Sequence, residues 1–274
     1  MASIAGPEGA TLEIFGIRTP LIKVGDNLPA VIRKGLTDAR LALEDGDIIV
    51  ISAKAIGTAE GRVIRLSDVV PSPRAVRLAE MYDLEPAFAE VVISESDEIL
   101  GGVKMALTTI KRGVLIANGG ADQSNSPPGT VTLWPEDPQA SAESIRAAFL
   151  EGKSRLGVLV TDSRTLPLRM GNSAVAIGIS GFRAIEDLRG KPDLFGRPMR
   201  IKRLAVADNI ASAAQLVMGE TSESTPVALV RGAPVAFGEG YAIEEAHIPR
   251  SQCLIMHLIP PRRNSEGEGD VKHS

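Results

Sequence analysis

The chain has 274 residues, enough for one large domain or two small ones with a substantial core. Apolar residues make up 44% and charged residues 23%, the balance of a soluble globular protein, while aromatics at 3% leave an aliphatic core and few rings on which to stack bases. The net charge of −4, with Lys and Arg spread along the chain, argues against a nucleic-acid footprint and leaves room for a small anionic ligand held by a few cations.

Read in chain order, residues 11–15 form a short edge strand, and Asp26 or Asn27 caps a helix running to about Lys34. "EDGDIIVISAK" is a turn followed by a buried strand, 47–52, and "TAEGRVIRLSDVV" continues through a loop and a short strand. Pro73 opens a helix with apolar positions Val76, Ala79 and Met81. "EVVISESDEIL", "KRGVLIANGG" and "TVTLW" read as strands, the Gly119–Gly120 pair ending the second.

"DPQASAESIRAAFLEGK" is a helix, with Ser141 as its cap and Ser144 to Leu150 at helical spacing. Strand 157–161 follows. "NIASAAQLVMGE" is a further helix, capped by Asp208 and stopped by Gly219, and "TPVALVRG" returns as a strand. Strands and helices mix without strict alternation, so the expected class is α+β with mixed sheets rather than a doubly wound sheet. The expected organisation is a tail over 1–10, one domain over 11–260, and a disordered polar tail over 261–274.

The lone cysteine, Cys253, excludes an intrachain disulfide or a cysteine zinc site and reads as apolar filler in "CLIMHLI". The histidines, His247, His257 and His273, all lie near the C-terminus, so chemistry in the body must use carboxylates, hydroxyls, amides and cations. Oxygen ligands favour a hard ion such as magnesium or manganese. The opening "MASIAGPEGA" has neither a basic start nor an apolar stretch, and no apolar run reaches membrane-spanning length; a cytoplasmic protein without membrane attachment is expected.

Two stretches share a grammar. In "IANGGADQSN" a strand ends on glycines, and Asp122 and Asn125 follow three residues apart. The loop is either a Gly–Asp turn or one that offers a carboxylate to a metal and an amide to a phosphate or base. In "VTDSRTLPLRMG" Asp162 and Ser163 follow a buried strand, with Arg164 and Arg169 just beyond. That is either a strand exit with solvated arginines or part of a metal and phosphate site. "LVMGETSESTP" ends a helix at Gly219 and Glu220 before a run of hydroxyl residues, as a C-cap and polar linker would. "EGKS" at 151–154 ends like a phosphate loop, but Ala147 stands at the required first glycine and a helix precedes it, so it is set aside.

The ordered series "TPLIKVGDNL", "LEDGDIIVISAK", "AEGR", "ANGGADQSN", "LWPEDPQASA", "AVAIGISG", "DLRGKPDLFGRPMR" and "VADNIASAAQLVMGE" resembles the coenzyme F420-0:L-glutamate ligases over roughly positions 11–235. The resemblance implies an α+β fold built as an intertwined homodimer. It implies a GTP-dependent ligase that activates a carboxylate on the deazaflavin cofactor precursor as an acyl phosphate, which L-glutamate then attacks. It implies Mg²⁺ or Mn²⁺, and leaves K⁺ as a further candidate.

Carried over by position, Asp122, Asp162, Ser163 and Glu220 match metal positions, Ser163 standing where the family usually has threonine. Asn125, Thr19, Pro20, Leu21, Ile22, Met218, Gly219, Thr221 and Ser222 match the nucleotide segments. Two departures stand out. The family commonly reads S-K-A-E-G-R where this chain has Gly57-Thr58-Ala59-Glu60-Gly61-Arg62, so Thr58 replaces a phosphate-binding lysine and Lys54 is its candidate substitute. The family also commonly reads D-T-F-G-R-P-W-R where this chain has Asp162-Ser163-Arg164-Thr165-Leu166-Pro167-Leu168-Arg169; Arg164 and Arg169 are the remaining candidates for catalytic cations. These departures keep two alternatives open: a paralogous amide ligase with another carboxylate acceptor, or a non-catalytic nucleotide- or cofactor-binding homologue.

Overall fold

The computed structural model describes residues 11–259; the two expected tails, but for residue 260, which also lies outside, are the part beyond them. In chain order the elements are β1 (Glu13–Ile17), α1 (Leu28–Asp38), β2 (Asp47–Ser52), α2 (Ala53–Ala59), β3 (Val63–Arg65), α3 (Pro73–Tyr82), α4 (Pro86–Glu95) and β4 (Glu98–Val103). There follow β5 (Ala106–Lys111), β6 (Val114–Ala117), β7 (Thr130–Thr132), α5 (Pro138–Phe149), β8 (Leu156–Thr165), β9 (Asn172–Ser180), β10 (Ile185–Asp187), β11 (Arg203–Ala205), α6 (Val206–Met218) and β12 (Val227–Arg231). The class is α+β, as expected. Among the described residues no helix is long and apolar enough to cross a membrane.

A five-stranded sheet in the order β1-β12-β2-β8-β9 forms the centre. Only β2 and β8 run parallel in it, and the other neighbours are antiparallel. The run "DIIVIS" is apolar on both sides because both faces of the sheet are covered. Ile49 and Ile51 pack with Ile32 and Leu36 of α1 and Ile145 and Phe149 of α5. Ile48 and Val50 pack on the other face with Ile210, Ala211 and Ala214 of α6. Burying each such branched side chain contributes about 1.5–3 kcal/mol. A third core joins Phe88, Val91 and Val92 of α4 to Ile99, Leu107 and Val131, under the β4-β5-β6 meander.

Caps and strand ends correct several expectations. Of the two expected caps of α1, Asn27 serves, accepting from the Ala30 N–H at 3.0 Å. Asp137, not Ser141, caps α5, accepting from Gln139 and Ala140, because Pro138 takes the first helical position. No side chain caps α6; Asp208 lies in its first turn. In α3 the buried positions are Ala75 and Ala79, while Val76 and Met81 are exposed.

"EVVISE", read as strand, is the end of α4. That helix buries residues on nearly every side, Ala87, Phe88, Ala89, Val91 and Val92, so it shows no polar face and mimics a strand run. The reading also passed over α2, β5, β9, β10 and β11.

The strand expected to stop at residue 161 continues to Thr165, so Asp162 and Ser163 lie inside β8. The register of β9 slips by one residue opposite Val160–Thr161. The slip explains why Ala174, Ala176 and Ile179 share the α6 face although Ile179 has the other parity.

Candidate active site

One cleft of about 740 Å³ opens beside the carboxyl ends of the parallel pair β2 and β8, where Ser52 pairs with Thr161. Five stretches of chain meet there: the turn after β1, the first turns of α2, the loop around residue 122, the β8–β9 pair around Asp162, and the loop after α6. It is lined by Thr19, Pro20, Leu21 and Ile22, by Lys54 and Thr58, by Asp122 and Asn125, by Asp162 and Ser163, and by Met218, Gly219, Glu220, Thr221 and Ser222. Every nucleotide and metal position carried over from the resemblance therefore falls in one cavity. Arg164 and Arg169 do not line it.

Lys54 arrives on α2, whose start is fixed by Ser52: the Ser52 hydroxyl accepts from the Ala55 N–H at 3.3 Å. The Lys54 ammonium donates to the Asp122 carboxylate, to the Ser124 carbonyl and, at 2.9 Å, to the Ser124 hydroxyl. Thr58 follows one turn later on the same helix face. The backbone of Asp122 is clamped by paired hydrogen bonds with Thr132, each 2.9 Å, while its side chain accepts the Ser124 N–H at 2.8 Å. Asn125, in the left-handed region at φ 51°, donates its amide to the Thr221 carbonyl at 2.7 Å. That bond ties the acid loop to the loop after α6, and the Thr19 N–H donates to the Ser224 carbonyl at 3.0 Å to tie in the third.

Strand geometry separates Asp162 from Ser163, since successive side chains leave opposite faces. Asp162 turns toward Trp134, whose indole N–H donates to it at 2.6 Å. Ser163 turns toward α6, donating to Glu220 at 2.7 Å, and Gln215 donates to the same Glu220 oxygen. Burial, and more weakly the charge of Asp122, push the Asp162 carboxyl up to about 6, against the pull of the Trp134 and Ser163 N–H groups and of Lys54. In the loop after α6, Glu223 accepts from the Thr221 N–H and hydroxyl at 2.7 and 2.9 Å. Its own backbone N–H and Thr221 hold its carboxyl below the usual range.

Among the described residues no three His, Cys, Asp or Glu side chains already gather around a single point. The candidate metal donors in the cleft are nonetheless all oxygens: two aspartates, a hydroxyl and a glutamate. That chemistry suits a hard divalent ion. The pair of acids is also short of positive charge, which such an ion would supply.

The sequence profile of F420-0:gamma-glutamyl ligase matches residues 16–232. The chain belongs to this ligase family. It is 40% identical over 238 residues to the coenzyme F420:L-glutamate ligase of Methanocaldococcus jannaschii, covering 85% of this chain and 92% of that one. It is 39% identical over 226 residues to the protein of that name from Methanothermobacter thermautotrophicus, covering 81% and 90%. It is 40% identical over 251 residues to that of Archaeoglobus fulgidus, covering 90% and 98%.

Set on this family's chain, the two arginines have definite places. Arg164 donates to Asp208 at 2.8 Å, and Asp208 also accepts the Ala176 N–H at 3.0 Å, so this pair braces β8 and β9 against α6. Arg169 sits in the exposed turn between β8 and β9. Sequence reasoning missed Ser124, Gln215 and Trp134. Ser124 stood between Asp122 and Asn125, both already singled out. Gln215 and Trp134 gave no local signal, because only the fold brings them to Glu220 and Asp162.

Proposed function

We propose that this chain is a GTP- and divalent-metal-dependent ligase of the cytoplasm, adding L-glutamate to the coenzyme F420-0 precursor through an acyl phosphate. The observation that carries the reading is the convergence in one cleft of Asp122, Asp162, Ser163 and Glu220 with Lys54 and the segments 19–22 and 218–225. In this reading a precursor carboxylate oxygen attacks the γ-phosphorus of GTP and GDP leaves. The glutamate amine then attacks the acyl carbon, phosphate leaves, and the nitrogen loses a proton.

Asp122, Asp162, Ser163 and Glu220 would hold Mg²⁺ or Mn²⁺, whose charge would offset that on the phosphoryl oxygens. Lys54 brings a further cation to the cleft beside Asp122, in place of the charge that Thr58 lacks. Asn125 holds two walls together and so fixes the reactants relative to each other, which converts encounters into a unimolecular step. The reading includes a homodimer, supported by Leu168, Met170, Leu194 and Phe195, which stand in solvent on two loops. Sedimentation of the purified chain checks it.

The test is incubation of the purified chain with GTP, Mg²⁺ or Mn²⁺, glutamate and F420-0, with and without K⁺. A mass gain of one glutamate on the precursor with release of GDP supports the reading; no gain under any of these salts refutes it. One observation favours a second reading, a ligase for another carboxylate: Arg164 is engaged by Asp208 instead of facing the cleft. GDP release that depends on a different acid, and not on F420-0, would establish that alternative.

A further inference from the structure

Trp134 is the chain's sole tryptophan, and its side chain is 2% exposed. Its N–H is a donor only, and it ends 2.6 Å from one oxygen of Asp162 while the Ser163 N–H holds the other at 2.8 Å. The ring is pinned from two sides. A methyl group at Gly120 would come within 2.2 Å of the indole nitrogen, so only glycine lets the ring edge lie there. Behind it the buried ammonium of Lys111 sits 5.2 Å from the ring centre, itself held by Glu95 at 2.6 Å. Glu95 in turn binds Arg62 at 3.1 Å, and Arg62 donates to the Trp134 carbonyl at 3.2 Å.

We propose that Trp134 is a positioning residue of this ligase: its indole N–H sets the direction in which the Asp162 carboxylate faces the cleft, and Gly120, Lys111 and Glu95 hold the ring for that purpose. The inference rests on the ligase reading for what Asp162 does, not for how it is held. Partners of this kind orient a ligating carboxylate, and their loss typically weakens metal binding or activity about 10–100-fold.

Because there is one tryptophan, global replacement by 3-benzothienylalanine alters position 134 alone, keeping the ring shape and putting sulfur where the N–H was. Trp134→Phe provides a second chain if the analogue does not fold. The measurements are Mn²⁺ affinity from the spin-resonance signal of free Mn²⁺, kcat and KM for ligation, the melting temperature, and the single indole ¹H–¹⁵N peak with and without Asp162→Asn. Expected are an indole peak that moves in Asp162→Asn, Mn²⁺ binding about tenfold weaker in the analogue, and a fall in kcat at unchanged melting temperature.

An indole peak unmoved by Asp162→Asn overturns the proposal, as does an analogue that binds Mn²⁺ and turns over within about twofold of the unaltered chain. If the unaltered chain ligates without a divalent ion, the metal reading fails and kcat of the analogue decides the positioning role. If it binds Mn²⁺ but does not ligate F420-0, the acceptor reading fails and Mn²⁺ affinity decides. A chain that does neither overturns both.

Discussion

Lys54 and Asp122, 68 positions apart in sequence, form an ion pair across the mouth of the cleft. The pair is partly exposed, at 24% and 49% of the side-chain surface, so it adds little to stability, about 0–1 kcal/mol. In the proposed reaction its value is electrostatic, a cation where negative charge would gather during phosphoryl transfer. Lys54→Ala should therefore melt within a few degrees of the wild type yet lose about 100-fold in kcat/KM for GTP. Steady-state kinetics with a melting curve on the same sample checks both halves.

Asp162 carries the opposite signature. Its carboxyl is raised to about 6 in the fold from 3.8. Between those values the folded chain keeps a proton that the unfolded chain has released, so this group's contribution to stability falls as pH rises. The penalty is absent below about pH 4 and complete above about pH 6. Asp162→Asn should remove it, making the ion-free chain more stable at pH 7 by on the order of 1–3 kcal/mol, with the gain vanishing near pH 4. Urea titrations of both chains at several pH values measure the difference. The same variant should lose ligation, and retained turnover would remove Asp162 from the site.

Asn125 joins two loops through a single side-chain hydrogen bond to Thr221. Asn125→Ala removes that bond and leaves a residue less suited to φ 51°. The expected result is a KM for GTP raised about tenfold, with a smaller change in kcat. Titrating GTP at saturating glutamate and precursor reads this directly.

Arg164 should behave as a brace and not as a catalytic cation. Its guanidinium and Asp208 are about one-quarter exposed, at 27% and 25% of the side-chain surface. Arg164→Ala leaves Asp208 with the Ala176 N–H as its remaining bond across the sheet. A loss of about 1–2 kcal/mol in denaturant is expected, with kcat at low temperature within about threefold of wild type. A hundredfold loss of kcat without loss of stability would restore it to the chemistry.

The sequence by itself determined the parts whose cause is local. The apolar run at 47–52, set off by a turn, was legible as a buried strand, and residues 209–218 as a helix. Pro73 and Gly219 marked helix ends through backbone geometry that needs no partner. The absence of histidine before position 247 already restricted the body to oxygen and nitrogen chemistry without imidazole. The nucleotide and metal positions that the family resemblance picked out lie along one cleft, and Arg164 and Arg169 lie outside it.

The tertiary structure decided where those residues point. Asp162 looked like a strand terminus because apolar residues stop at Val160, but pairing with β9 carries the strand to Thr165. Hydrogen bonds to a neighbouring strand, absent from any local pattern, then send Asp162 to Trp134 and Ser163 to Glu220. Helix α4 was hidden for the converse reason, that burial on nearly all sides erases the periodicity by which helices are read. The meeting of Lys54 with Asp122, of Asn125 with Thr221 and of Trp134 with Asp162 spans 68, 96 and 28 positions. Such contacts belong to the packing of separate elements and not to any one of them, so they exist only once the chain has folded.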